Sequence, residues 1–367
     1  MFLSVREIRG AGGRFALIGS VTVLITLLIV MLTGLTNGLG RQNTGALESL
    51  APDRVVFMAP TEVAEPEVSF SNSSVSLTAW NTWRDVEGIT QVQPLGAMQS
   101  RIESGSAAHP AAVLGLPENA VIPGGVISYG AALPVSLAED LAVGVGDEIT
   151  IGGQEVSVSA VLADSDNASD NYYAHSPVVW VDTTTWQEIS HTDAVGTVLL
   201  VRADAGIWGG EDIAQATRQT NAIVTDLPDS FKGLAAYSSE QGSLQAMQGF
   251  LYGISALVTI AFLSVWTLQR SRDIAILRAM GASKRYVLID ALTQSAIILL
   301  LGASIGAGLA WALGSVISGT GTVPVAFDTA TVVLPAVGVC VLGIVGSLVA
   351  VRTVTKVDPL EALNATQ

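Results

Sequence analysis

Four long apolar runs divide the chain, and about 200 mostly polar residues separate the first run from the second. Each run has the 18 or more mostly apolar residues that a helix needs to cross a hydrocarbon core of about 30 Å. The runs cover roughly residues 15–35, 250–268, 287–317 and 329–351. The pattern therefore predicts a membrane α-helical protein with four transmembrane helices, one before and three after a large polar domain.

The polar stretch predicts a mixed α/β fold. Its clearest signal lies at 147–162, where two runs of alternating polar and apolar residues flank Gly152-Gly153, a pattern typical of a β-hairpin. The remaining predicted elements are strands at 177–182 and 195–202, helices at 134–141 and 212–225, and polar loops at 60–76 and 163–171.

These patterns give a predicted domain plan. In order, the segments are an amphipathic N-terminal helix at 1–14, transmembrane helix one at 15–37, the α/β domain at 38–245, transmembrane helix two at 246–268, a connecting helix at 269–286, transmembrane helix three at 287–318, a short loop at 319–328, transmembrane helix four at 329–351 and a tail at 352–367.

Composition and charge give this plan an orientation. Only 13% of the residues are charged and the mean hydropathy is +0.52, whereas soluble domains average about 25% charged residues. Ten of the 17 basic residues fall in three short segments, which the positive-inside rule places in the cytoplasm. They are Arg6, Arg9, Arg14, Arg270, Arg272, Arg278, Lys284, Arg285, Arg352 and Lys356. We therefore expect a multi-pass membrane protein with both termini cytoplasmic and the polar domain outside.

The polar domain is strongly acidic. Between Arg41 and Gln245 it has 26 acidic against 7 basic residues, a formal charge of −19, which we interpret as a solubilising surface. Such a charge argues against nucleic-acid binding. The first apolar run is longer than the core of a cleaved signal peptide and no Ala-x-Ala site follows it, so we expect an uncleaved span.

Catalytic and metal-binding motifs are absent from the sequence. It has no G-x-x-x-x-G-K-[ST], G-x-S-x-G or H-E-x-x-H pattern, and Cys340 is its only cysteine. His109, His175 and His191 are scattered and are expected to be surface or packing residues. The sequence therefore predicts that the chain is not itself an enzyme and holds no metal of its own.

Glycines recur at helical spacing within the apolar runs, as Gly34-x-x-x-Gly38, Gly302-x-x-x-Gly306 and the series Gly338, Gly343 and Gly346. Small residues at such spacing let helix backbones approach closely in lipid. The pattern indicates helix packing, and leaves open whether the partner helix belongs to the same chain or to another.

The segment between the second and third spans is amphipathic. Ile274, Ile276, Leu277 and Met280 form an apolar stripe beside basic residues, and Gly281 suits the end of a helix. A short amphipathic helix of this kind either lies on the membrane or docks in the groove of a partner protein. The pattern alone does not separate the two.

This segment carries a family resemblance. Residues 269–283, Gln-Arg-x-Arg-Asp-Ile-Ala-Ile-Leu-Arg-Ala-Met-Gly-Ala-Ser, resemble the coupling helix of MacB/FtsX-type (type VII) ABC transporter permeases. Residues 3–9 resemble the N-terminal helix of that family, 145–153 one of its outer hairpins and 358–363 its Asp-Pro-x-x-Ala-Leu motif, although Asn364 stands where Arg is common. The resemblance spans the whole chain and implies a location in a bacterial plasma membrane.

The resemblance implies a mechanism in which two permeases pair and two separate ATPase subunits, which bind ATP and Mg²⁺, drive the spans and the outer domain. The residues that would contact the ATPase are Arg270, Arg272, Ile274, Ile276, Leu277, Arg278 and Met280.

The opening residues 1–19 and the segment 32–40 also resemble the haem-exporter permeases of Gram-positive bacteria, which implies haem as the substrate. Haem partitions into lipid and needs an apolar slot, an iron ligand and a cation for its propionates. We expect the slot between the outer halves of spans one and two, with Met31 as the preferred axial ligand and Arg41 beside a propionate. The candidate residues are Met31, Arg41, Glu48, Tyr172, Tyr173, Tyr237, Met247 and Tyr252.

Each haem candidate also has an ordinary interpretation as a packing, surface or membrane-interface residue. Two alternatives therefore accompany haem export. The first is export of another amphiphile, such as a peptide, lipopeptide, macrolide or lipoprotein. The second is a non-transporting regulator that activates a cell-wall hydrolase.

Overall fold

The computed structural model describes residues 12–61, 64–163, 168–269, 280, 283–320 and 323–354. The chain divides into two compact units. We call Leu39–Gln241 the sheet unit, and Met1–Gly38 together with Gly242–Gln367 the helical unit.

In chain order the helices and strands are α1 (Gly12–Leu50), β1 (Arg54–Met58), α2 (Leu77–Arg84), β2 (Ile89–Ser104), β3 (Ala107–Leu116), β4 (Val121–Ile122), β5 (Gly125–Val126), β6 (Ala131–Pro134), α3 (Val135–Leu141), β7 (Glu148–Ile151), β8 (Gln154–Leu162), β9 (Tyr172–Tyr173), β10 (Ser176–Asp182), α4 (Thr183–Ser190), β11 (Val198–Ala203), α5 (Glu211–Gln219), β12 (Ala222–Asp226), α6 (Leu227–Ser230), α7 (Ala235–Gln269), α8 (Lys284–Thr320) and α9 (Thr329–Val354).

The four predicted spans are confirmed as helices. Each apolar run lies within α1, α7, α8 or α9, and all four are long and apolar enough to cross a membrane. The mixed α/β domain lies between α1 and α7, as the sequence predicts. The boundary between the two units falls inside α1 and α7, so both helices contribute residues to both units.

The sheet unit is built on one ten-stranded sheet, in the order β12-β1-β11-β2-β3-β10-β6-β8-β7, with β9 paired to β10. The 16-residue strand β2 pairs along one edge first with β11 and then, at Ile102 and Glu103, with β7. Because β7 also ends the other side of the sheet, this pairing closes β2, β3, β10, β6, β8 and β7 into a ring.

Both faces of the sheet are buried along β1. Along β1, Val55 and Phe57 enter one apolar cluster, while Val56 and Met58 enter another. Successive side chains of a strand point to opposite faces, so a strand covered on both sides reads as a continuous apolar run rather than an alternating one. Trp180 in β10 belongs to the cluster that also contains Phe57.

Local sequence signals predict most of these elements. The hairpin at 147–162 is confirmed as β7 and β8, and Gly152 and Gly153 have the positive φ angles, +58° and +88°, that a tight hairpin turn needs. The predicted strand at 177–182 lies within β10 and the helix at 134–141 is α3. The predicted strand at 195–202 is present but begins only at Val198. Residues 168–171 form a short 3₁₀ helix within the predicted loop at 163–171.

The helix predicted at 212–225 is wrong in its second half. Helix α5 ends at Gln219, Asn221 takes a left-handed φ of +47°, and the chain continues as β12. Ile223 and Val224 pair with Phe57 and Val56 of β1. Their β-branched side chains fit an edge strand, and pairing with a segment far away in the sequence overrides the local helical pattern.

Other residues of the same chain pack against the glycines of the helical unit. Gly34 and Gly314 both contact the ring of Phe327, and a Cβ at either position would overlap that ring. A Cβ at Gly38 would overlap the carbonyl of Pro324, and the Ala326 amide donates to the Gly34 carbonyl at 2.9 Å. Residues 323–328, which lead into α9, therefore pack against Gly34 and Gly38.

The other glycine patterns behave in the same way. Gly302 and Gly306 of α8 lie against α1, Gly343 of α9 lies against Leu299, and Gly346 lies against Ile260. Of the two possibilities left open by the sequence, the structure gives contacts within one chain. The Gly34–Gly38 face is consequently occupied and is not the free surface that an interface between two copies would need.

Candidate functional site

The candidates in the helical unit are Met31, Met247 and Tyr252. Met31 is half-buried on α1, and it follows the exposed Leu24 and Leu28 at spacings of seven and three residues, which places the three on one face. Met247 is 50% exposed and begins a similar apolar face on α7. That face continues with Phe250, Ile254 and Leu257. Exposed apolar stripes on membrane helices suit lipid, a second copy or an amphiphile.

Tyr252 has a different environment. Its ring packs against Gly338 of α9 and borders the small apolar cluster of Ile25, Ile29 and Val339. Its phenol also lines a cleft of about 320 Å³, whose lining residues include neither Met31 nor Met247. Tyr252 therefore belongs to this cleft, which Met31 and Met247 do not line.

Polar side chains from three helices surround this cleft. Asn37 Nδ2 donates to Thr331 Oγ1 at 2.7 Å, joining α1 to α9. Gln248 Nε2 on α7 lies 3.4 Å from Thr33 Oγ1. The Asp328 carboxylate accepts the Thr331 amide at 2.6 Å and so caps the start of α9. These bonds satisfy polar groups between helices in an otherwise apolar unit.

The candidates Arg41, Glu48 and Tyr237 lie in the sheet unit. Arg41 and Glu48 are exposed on α1, and Glu48 Oε1 accepts a hydrogen bond from Thr44 Oγ1 at 2.6 Å. Tyr237 is half-buried on α7, with its ring 5.8 Å from the ring of Phe231, and it interacts electrostatically with Glu48. Glu48 and Tyr237 therefore lie close enough to interact electrostatically.

The tyrosine pair of β9 is divided between surface and core. Tyr172 is half-buried opposite Pro177, whereas Tyr173 is only 4% exposed. The Tyr173 ring packs edge-on against Phe70 with centroids 6.0 Å apart, and burial raises the pKa of its phenol well above the ordinary value. Tyr173 is sealed inside the main apolar cluster, which suits packing.

Sequence reasoning missed one cluster of polar side chains in the sheet unit. Asn43 of α1, His175 after β9 and Glu240 of α7 are mutually within 3.0 Å. We call these three residues the polar clamp. More than 60 residues separate each from the next in the chain, so no spacing rule joins them, and a lone histidine gives no signal by itself.

The expected ATPase contacts lie almost entirely outside the described residues. Arg270, Arg272, Ile274, Ile276, Leu277 and Arg278 fall there, as do the family-like segments 3–9 and 358–363. Met280 is described, and it is 73% exposed. In the described part of the chain, no three His, Cys, Asp or Glu side chains come together as a metal site.

Comparison with known families covers nearly the whole chain. A model of the MacB-like periplasmic core domain matches residues 17–223, and a model of the FtsX-like permease C-terminal region matches residues 247–359. The chain belongs to the MacB/FtsX-type family of ABC transporter permeases. The permease is therefore a membrane protein with a large extracellular domain, and its family in general implies an ATPase partner and a dimer.

Individual relatives of the permease align from end to end. A Staphylococcus epidermidis protein that carries the name hemin transport system permease protein HrtB is 23% identical over 385 residues, covering 100% of both chains. An uncharacterized ABC transporter permease of Mycobacterium bovis is 23% identical over 372 residues, covering 99% of both.

Two solved structures resemble part of the permease. The extracellular domain of the ABC-type transporter YknZ from Gram-positive bacteria is 13% identical and covers 47% of this chain and 98% of its own, with a TM-score of 0.35. The periplasmic region of MacB from Actinobacillus actinomycetemcomitans is 11% identical and covers 48% and 89%, also with a TM-score of 0.35.

Proposed function

We propose that this permease is the membrane subunit of an ATP-driven exporter that expels haem from the plasma membrane. Two copies of the chain pair, and two separate ATPase chains bind their cytoplasmic segments and supply the energy. Both termini face the cytoplasm and the sheet unit faces outward. The observation that carries the choice of haem is the end-to-end similarity to a hemin transport permease, at 23% identity over both full chains.

The exposed stripes of α1 and α7 support entry of haem from the side. Haem is flat and amphipathic, so it reaches the protein dissolved in lipid, and an apolar helix face can receive it without crossing water. Met31 on the α1 stripe is the preferred iron ligand, because a thioether is known to bind haem iron and costs less to bury empty than a carboxylate. Arg41, Glu48, Tyr172, Tyr237 and Met247 are further candidates.

The end of α1 shows how movement of the spans could be transmitted. Its last turns are built into the core of the sheet unit through Ala46, Leu47 and Leu50. Arg202 of β11 donates from Nη2 to the Leu50 carbonyl at 2.6 Å and from Nε to the Ala51 carbonyl at 3.1 Å. A displacement of α1 along its axis would therefore pull on the sheet directly, which supports mechanical transmission from the ATPases.

Haem binding can be tested on the purified permease–ATPase complex in nanodiscs. Replacing Met31 by Ala should shift the Soret band of bound hemin and weaken its binding about tenfold, because the axial ligand is lost. Leu28→Ala is the matched control, since it removes an apolar side chain from the same stripe but no iron ligand. That variant should keep the wild-type spectrum.

Other spectra would change the assignment. An unchanged band in Met31→Ala, together with a lost band in Tyr172→Phe or Tyr237→Phe, would move the site into the sheet unit. No hemin binding by the wild-type complex would remove haem as substrate and leave an exporter of another amphiphile or a regulator of a cell-wall hydrolase. Co-purification of such a hydrolase would favour the regulator.

A further inference from the structure

The polar clamp joins three segments of the sheet unit. Asn43 lies on α1 with no solvent exposure, Glu240 lies in the second turn of α7, and His175 ends the tight turn between β9 and β10. Glu240 is the common acceptor, since Oε2 lies 3.0 Å from Asn43 Nδ2 and Oε1 lies 2.7 Å from His175 Nε2. The three elements therefore converge on one carboxylate.

Both neighbours of Glu240 in the clamp can donate hydrogen bonds to its carboxylate. Asn43 Nδ2 has two hydrogens, which are directed to the Leu39 carbonyl at 3.1 Å and to Glu240 Oε2. At 2.7 Å, His175 Nε2 and Glu240 Oε1 form a hydrogen bond, in which an Nε2–H donates to the carboxylate oxygen. Within the described structure Asn43 Oδ1 is buried without a hydrogen-bond partner. A charged acceptor shared by two donors holds its neighbours in a fixed orientation.

The turn that carries His175 has an unfavourable backbone conformation. Ala174 and His175 are the two residues between the paired ends of β9 and β10, and both have positive φ, 47° and 63°. Glycine or asparagine is usual at such positions, because a Cβ makes the left-handed region costly. The turn is held by backbone bonds to α1, from the Ala174 amide to the Asn43 carbonyl and from the His175 amide to the Gln42 carbonyl, both at 3.1 Å.

Helices α1 and α7 also approach closely beside the clamp. A Cβ at Gly40 of α1 would come within 3.3 Å of Gln241 Nε2 on α7. The main apolar cluster contains Leu47 of α1 and Leu234, the residue before α7, but apolar packing does not by itself select one register. A partly buried polar network instead favours the register that forms its hydrogen bonds, and a strained turn persists only where the surroundings hold it. These features indicate that the clamp fixes how α1 and α7 are aligned along their lengths, beyond holding the two helices together.

We propose that the polar clamp locks α1, α7 and the β9–β10 turn in one register, so that the two helices transmit ATP-driven displacement to the sheet unit together. Asn43, His175 and Glu240 act as positioning residues, with no contact to the substrate. The proposal rests on the proposed function, because it names the residues through which the mechanical step of export passes. Loss of the clamp should uncouple the sheet unit from the ATPase cycle.

The test is amide hydrogen exchange on the full permease–ATPase complex in nanodiscs, compared between the nucleotide-free and the vanadate-trapped states. In the wild type, trapping should change exchange in α9 and also in the segment 172–177. In Glu240→Gln and His175→Leu, the exchange change in α9 should persist. The exchange change at 172–177 should fall about tenfold, because the charge-assisted hydrogen bonds are lost.

Two further variants separate the clamp from general effects. His175→Gln retains a side-chain donor and should restore most of the response at 172–177. Glu139→Gln makes the same charge change at an exposed position of α3 and should respond like the wild type. The hydrogen-exchange measurements do not depend on haem. Each variant is compared within a folded complex whose ATPase activity is recorded.

The possible failures are distinguishable. A wild-type response at 172–177 that persists unchanged in Glu240→Gln and His175→Leu overturns the clamp while leaving the exporter intact. A wild-type complex with no nucleotide-dependent change in either unit overturns mechanical transmission, and the clamp's coupling role with it.

Discussion

Single residues in the helical unit show how glycine shapes a membrane bundle. Phe327 lies between Gly34 of α1 and Gly314 of α8. Any residue with a Cβ at either glycine position would overlap the Phe327 ring. Pro324 lies equally close to Gly38. In lipid, where apolar burial gives little drive for helix association, such close contacts and the hydrogen bonds between helices supply the stabilisation.

Replacing Gly34 or Gly38 by alanine should therefore destabilise the permease. The new methyl group must displace Phe327 or the Pro324 backbone, at a cost of about 1–3 kcal/mol. Thermal unfolding of the purified protein in detergent measures the loss. Gly308→Ala is the control, since a Cβ there meets nothing within 4 Å. Equal melting temperatures for all three variants would contradict the packing described here.

Tyr173 gives the sheet unit a predicted dependence on alkaline pH. Burial raises the pKa of its phenol above the unfolded value of about 10, so the folded protein keeps the proton when the unfolded chain loses it. Its contribution is complete below about pH 10 and falls above that pH by about 1.4 kcal/mol per unit. Urea unfolding followed from pH 9 to 11 measures this slope.

Tyr173→Phe should be less steeply destabilised over the same pH range, because phenylalanine has no proton to lose. Tyr129→Phe is the matched control, since Tyr129 is 70% exposed. A wild-type slope identical to that of Tyr173→Phe would show that the phenol titrates normally in the fold.

At the scale of elements, the sequence predicts the helices and strands whose formation depends on local residue patterns. The four membrane helices follow from apolar length alone, and the hairpin β7–β8 follows from alternation around Gly152-Gly153. The strand β12 could not be predicted, because its pairing with β1 joins residues more than 160 positions apart. The polar clamp escaped prediction for the same reason, since only the folded chain brings Asn43, His175 and Glu240 together.

Residues 270–279, which hold most of the expected ATPase contacts, lie outside the described residues. Ile276→Asp or Leu277→Asp should abolish co-purification with the ATPase, because a charge replaces an apolar side chain that is expected to dock in the partner's groove. Membrane insertion of the permease should be unaffected, as judged by its yield in the membrane fraction. Arg285→Gln, beyond the apolar stripe, serves as the control. Full ATPase binding by both aspartate variants would reject the docking role.

At the scale of the whole molecule, two kinds of construction meet in one chain. The sheet unit buries apolar clusters on both faces of β1 and carries most of the acidic residues, while the helical unit packs four apolar helices through small residues. Helices α1 and α7 contribute to both.

The most direct test of the account is ATP-driven transfer of haem out of a membrane. The permease and its ATPase are reconstituted in liposomes with the ATPase outside, hemin in the bilayer and an apo-haemoprotein trapped in the lumen. If the permease exports haem, ATP raises the rate of holo-protein formation in the lumen, and vanadate or the omission of the permease returns it to the passive rate. ATP hydrolysis by the intact complex with no gain over the passive rate would contradict it.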